Sequence, residues 1–147
     1  MAAAACLALC ASSTADMPAA PKPEPPPAPD PRIARLERFF HIYHCPEPYH
    51  VSDYLRAADD YQLDYRLLPA VSVRETLCGI AAVENNWWGF HNGTEGFPSI
   101  EAGIDFMAHR LAEHPYYKGK TLQQKLFTYN PRPAYPGEVA RIMQKIE

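Results

Sequence analysis

From Arg32 onward, apolar residues recur at three- and four-residue intervals, the spacing of one face of an α-helix. Arg32–His44 places Ile33, Leu36, Phe39, Phe40 and Tyr43 on such a face and Arg and Glu on the other, and the pattern stops at Cys45-Pro46-Glu47-Pro48. His50–Leu63 predicts a second helix, with Ser52 as N-cap, Val51 as a staple residue, and Tyr54, Leu55, Ala58 and Tyr61 as the stripe. A third runs from Leu67 to between Glu75 and Leu77, with Pro69 tolerated near its first turn and Gly79 as terminator. Ile100–Glu113 follows Ser99, a good N-cap, and buries Ile104, Met107, Ala108 and Leu111. Thr121–Tyr129 opens on a Thr121/Gln124 capping box. Tyr135–Ile146 closes the chain with Val139, Ile142, Met143 and Ile146 in line. No segment alternates with period two. The pattern predicts a mainly α domain of about six helices, with at most a short β-hairpin near His91–Phe97.

The segment before Arg32 reads differently. Residues 1–15 hold a short apolar run ending in Ser13-Thr14-Ala15, a small-x-small pattern that fits a weak export signal lacking a charged start. Cys10 stands where a lipoprotein cysteine would, but Leu9 before it fits that motif poorly. An uninformative disordered N-terminus is the competing reading. Residues 16–31 carry half of the chain's 16 prolines and read as an extended spacer with little to bury. That spacer either holds the domain away from a surface or merely links. The expected domain is therefore residues 32–147. Setting aside Asp16, Glu24, Asp30 and Lys22 leaves 14 acids against 13 bases in it, a balance that argues against nucleic acid as a partner. With no 18-residue apolar run, no transmembrane segment is expected in the domain, and it is expected to act as a monomer.

Cys45 and Cys78 are the domain's cysteines. A disulfide between them and two separate buried thiols both fit the sequence. His41, His44, Cys45 and Cys78 together do not have the spacing of a zinc site, so neither metal nor organic cofactor is expected.

The stretch Leu67–Phe90 carries the candidate chemistry. Cleaving a glycosidic bond needs a protonated carboxyl against the leaving oxygen. Apolar surroundings keep such a proton in place, and Glu75 follows Ala70, Val71 and Val73 on an unusually apolar helix. A helix-end glutamate paired with a nearby base is the plain alternative. Asn85-Asn86-Trp87-Trp88-Gly89-Phe90 follows ten residues on. Flat rings suit sugar faces, amides suit N-acetyl and hydroxyl groups, and Gly89 lets backbone approach a ligand. Adjacent Trp87 and Trp88 point different ways, so one is expected in the core and one exposed.

Three motifs occurring in order give the chain a resemblance. LLPAVSVRET (Leu67–Thr76), NNWWGF (Asn85–Phe90) and YNPRPAYPGEVARIMQKI (Tyr129–Ile146) resemble motifs of the glucosaminidase family of peptidoglycan hydrolases, the flagellar-rod and autolysin endo-β-N-acetylglucosaminidases. FPSIEAGIDFMAHRLAEHPYYKGK resembles the family's helix between the last two motifs, and the likeness spans Pro48–Glu147. The resemblance implies a small lysozyme-like helical domain, exported to the periplasm or cell wall, acting on peptidoglycan or a related GlcNAc-containing glycan without a cofactor. It implies Glu75 as general acid, Tyr129 as the side chain orienting it or the scissile sugar, and Asn86, Trp88, Phe90 and Tyr135 as the cleft lining. Two departures stand out. The gap from Glu75 to Asn85 is short, leaving only Glu84, Glu95 and Glu101 nearby as a second carboxylate; and Arg74 precedes the acid, where a helix points it toward solvent. Thr128–Pro131 (TYNP) also resembles a segment of the related lytic transglycosylases. Transglycosylation and a non-catalytic glycan-binding role therefore stand as alternatives to hydrolysis.

Overall fold

The computed structural model describes residues 28–147, so the expected export signal and most of the proline-rich spacer lie outside the described residues. Six helices and one 3₁₀ turn, with no strand among these residues, make a small all-α domain. They are α1 (Pro31–Ile42), α2 (Val51–Asp60), α3 (Leu67–Thr76), the turn Phe90–Gly93, α4 (Ile100–Glu113), α5 (Leu122–Tyr129) and α6 (Tyr135–Met143).

The domain begins two residues earlier than the proline count suggests. The Asp30 carboxylate accepts from the Arg32 backbone N–H at 2.8 Å, and Pro31 occupies the first helical position, where a missing N–H costs nothing. Asp30 and Pro31 thus belong to α1, not to the spacer. The Thr121–Gln124 capping box and the Ser99 cap form as expected. The Ser52 cap does not: α2 starts at Val51, behind a His50 in left-handed backbone at φ 52°. At its other end α2 stops at Asp60 rather than Leu63. The Gln62 and Leu63 N–H groups bond the Asp59 and Ala58 carbonyls at 3.3 and 2.9 Å, closing a left-handed cap that a sequence without glycine does not advertise.

Helix α3 is the hub. It packs against α6 and α4, and eight of its ten residues are buried, because it is apolar all round rather than along one stripe. Trp88 lies against it, fully buried, with its indole N–H donated to the Leu68 carbonyl at 3.2 Å. Three successive residues with left-handed φ, Leu77, Cys78 and Gly79, then reverse the chain. The reversal brings Cys78 to Cys45, just past the end of α1, and the two form a disulfide with Cα atoms 5.4 Å apart.

No hairpin forms at His91–Phe97, because side-chain amides take the hydrogen bonds a ladder would use. The Asn86 amide donates to the carbonyls of Phe90 and Glu95 at 2.8 and 2.7 Å, and its oxygen accepts from the Phe90 N–H at 2.9 Å. Asn85 donates to the Phe97 carbonyl at 3.0 Å. Among the described residues no helix is long and apolar enough to cross a membrane.

Candidate active site

Glu75 lies half-buried in the last turn of α3. Its neighbour Thr76 ties that turn to the NNWWGF segment: the hydroxyl donates to the Trp87 carbonyl at 2.6 Å and accepts from the Gly79 N–H at 2.9 Å. The segment then passes directly over the acid. Gly89 has φ 65°, and a Cβ built on it would stand 3.2 Å from Glu75 Oε2, so the bare backbone is what leaves that oxygen room.

The other carboxylate oxygen, Glu75 Oε1, is buried and makes no well-formed hydrogen bond among the described residues; the hydroxyls of Tyr135 and Tyr54 are in the same condition, and that of Tyr135 lies within reach of the Glu75 carboxyl. Tyr135 opens α6, which packs on α3. Burial first, and then the adjacent Glu75 carboxyl, push its phenol well above the ordinary range. Tyr129 at the end of α5 lies parallel to Tyr135, ring centres 6.2 Å apart, and is pushed up by the same two causes. Its hydroxyl donates to the Trp88 carbonyl and not to Glu75. Tyr129 therefore fixes the backbone beside the acid rather than orienting the acid by direct contact.

The residues expected to line a cleft divide. Glu75, Tyr129 and Tyr135 converge where α3, α5 and α6 meet. Asn86, Trp88 and Tyr135 are fully enclosed and Phe90 nearly so, which removes all four as sugar-facing surfaces. Asn86 holds the loop, Trp88 fills the core against Gly103, and Phe90 is covered by the His91 ring at 4.1 Å and the Arg110 guanidinium at 5.0 Å. The core member of the tryptophan pair is Trp88. Trp87 remains half-exposed, lying so close over Gly79 that a Cβ there would meet its Nε1 at 2.2 Å. What the sequence did not flag is that Leu77, Ile80 and Val83, in the turn that follows α3, are all exposed. Their one advance signal was three apolar side chains in a stretch with no helical period.

Arg74 does not point to free solvent. Its Nε donates to Glu138 of α6 at 2.8 Å and its guanidinium lies over the Tyr135 ring at 5.9 Å, while Arg132 donates to the same Glu138 oxygen. The three candidates for a second carboxylate are turned elsewhere: Glu84 lies over Gly96, Glu95 pairs with His91, and Glu101 faces His50 at 3.1 Å. Two grooves, of about 1000 and 470 Å³, flank α1–α2 and α5–α6, and Glu75 lines neither of them. The disulfide removes Cys45 and Cys78 as metal ligands; a separate group, His50, Asp53 and Glu101, clusters in the larger groove.

Fold and site together define a small helical domain with a half-buried carboxyl set beside an enclosed phenol. No family model, curated protein or solved structure matches the chain.

Proposed function

We propose that this domain cleaves β-1,4 glycosidic bonds of a GlcNAc-containing glycan strand such as peptidoglycan, in the manner of an endo-β-N-acetylglucosaminidase, with Glu75 as general acid. The observation that carries this reading is the half-buried Glu75 carboxyl set beside the enclosed Tyr135 hydroxyl at the meeting of α3 and α6, with no base paired to it among the described residues. A buried polar atom left unpaired costs about 1–3 kcal/mol, and the enclosed Tyr135 hydroxyl relieves that cost by donating to Glu75 as the carboxyl gives up its proton. In the proposed reaction, protonated Glu75 donates to the leaving glycosidic oxygen as the anomeric carbon gains positive charge. Because Glu84, Glu95 and Glu101 all face other partners, the substrate's own N-acetyl oxygen attacks the anomeric carbon, and water opens the resulting ring. The Cys45–Cys78 disulfide supports action in an oxidising compartment outside the cytoplasm, in keeping with export.

The same lack of a second carboxylate favours one alternative. In a lytic transglycosylase on this scaffold, a muramic hydroxyl of the substrate attacks internally. Product analysis separates the two: 1,6-anhydro-muramic ends mark transglycosylation, and reducing GlcNAc ends mark hydrolysis. The test of the site itself is Glu75→Gln on purified sacculi, which keeps the side chain's size and removes the acid. Release of sugar ends is expected to fall by roughly 10²–10⁴. Activity retained within about threefold rejects Glu75 as the acid. A native chain that binds sacculi and releases no ends is a glycan-binding domain and not an enzyme.

A further inference from the structure

A second cluster of ligating side chains lies in the larger groove, away from Glu75, and is independent of the glycan reading. His50 immediately precedes α2, Asp53 lies in the first turn of α2, and Glu101 lies in the first turn of α4. His50 Nδ1 stands 3.1 Å from Glu101 Oε1 and 3.8 Å from Asp53 Oδ2, and one ligand atom from each of the three lies within 4.8 Å of the others. Donors bound to a zinc-sized ion at about 2.0–2.2 Å sit roughly 3.0–3.6 Å apart, so small side-chain rotations close this triangle around one ion.

The ligands are held for it. The His50 side chain is only 13% exposed, with its ring edge-on to Trp87 at 5.9 Å. Arg56 donates to Asp53 Oδ1 at 3.1 Å, leaving Oδ2 toward His50. Around them the groove is lined by Glu37 and Glu47 as well, against Arg38 as its one arginine or lysine, an excess of negative charge that draws cations.

We propose that His50, Asp53 and Glu101 form a binding site for a divalent transition-metal ion of the zinc class, with water completing the coordination. An imidazole among carboxylates favours such an ion over calcium or magnesium, which prefer all-oxygen sets. The bound ion clamps the start of α2 to the start of α4.

The test uses the full chain, stripped with EDTA and titrated calorimetrically with zinc chloride and, separately, calcium chloride at pH 7.5. One zinc ion per chain with calcium at least tenfold weaker is the expected result. Glu101→Gln and His50→Ala are each expected to weaken zinc at least tenfold, and His41→Ala, in the same groove, to leave it within threefold. Zinc is also expected to raise the melting temperature of the parent and not of Glu101→Gln. Glu101 is half-exposed on a helix, so that variant keeps the test decisive if His50→Ala does not fold. No saturable zinc binding up to millimolar concentration, or equal affinity in parent and both variants, overturns the proposal and leaves a histidine held by two acids.

Discussion

Helices α3 and α6 pack together, and each brings one glutamate to its side of their contact. Glu138 accepts from Arg74 and Arg132, and both arginines meet on one of its oxygens. Glu75, next to Arg74, has a buried oxygen on which no guanidinium sits among the described residues, with the Tyr135 hydroxyl within reach. The difference is instructive because the two groups share a neighbourhood and a chemistry. A carboxylate already held by two guanidiniums has little left to offer a ligand. A half-buried one with an empty acceptor beside an unpaired phenol has its binding capacity intact. Saturated polar groups hold the helices in register, and the unsatisfied pair is where function is to be sought.

That contrast can be broken or sharpened by experiment. The largest stability effect is expected from the disulfide, which closes a 33-residue separation between the ends of α1 and α3. Replacing Cys45 and Cys78 together by Ser should cost about 3–4 kcal/mol in urea unfolding, by chain entropy. It should also loosen the turn after Glu75 while leaving the Glu138 pairing on α6 in place. Gly89→Ala comes next. Left-handed backbone costs a non-glycine residue about 1–2 kcal/mol, and the new methyl presses on Glu75 Oε2, so activity on sacculi should fall along with stability.

Tyr135→Phe sharpens the comparison. Removing a hydroxyl that makes no well-formed hydrogen bond among the described residues should change stability by less than about 1 kcal/mol. Activity should nevertheless drop roughly tenfold or more, the worth of a hydrogen bond from the phenol to Glu75 as the carboxyl gives up its proton. A large stability loss with unchanged activity would reverse the roles assigned to the two glutamates.

Glu138→Gln should have the smallest effect, and one confined to pH and salt. Hydrogen bonding to Arg74 holds the Glu138 carboxyl below its ordinary 4.5, against a smaller opposing push from burial. A depressed carboxyl contributes stability that is present above pH 4.5 and lost as the pH falls through the lower folded value. Acid unfolding curves of parent and variant should therefore differ above that window, converge below it, and approach each other at high salt.

The helices were legible because each carries its own local signal. Apolar spacing, the Ser99 cap and the Thr121–Gln124 box are properties of short windows, and they form as written. The misplacements fell where a contact outside the window decided the outcome. Ser52 looks like a cap, yet α2 begins at Val51, whose side chain is buried in the core. The role of Asn86 was misread because an asparagine suited to a sugar amide is equally suited to a loop's own carbonyls. In this loop it spans Phe90 and Glu95.

By itself the sequence determined six helices, an unusually apolar α3, and a glutamate at that helix's end followed by an aromatic segment. These follow from residue spacing and side-chain type, which any window of the chain displays. Only the tertiary structure decided that Trp88 fills the core while Trp87 stays half-exposed, that Cys45 meets Cys78, and that Arg74 is held by Glu138 and not by Glu75. Only it brought His50, Asp53 and Glu101 to one groove. Each of these depends on where α3 lies against α4 and α6 or on how the loops between helices are pinned, and packing sets those distances between residues remote in the chain.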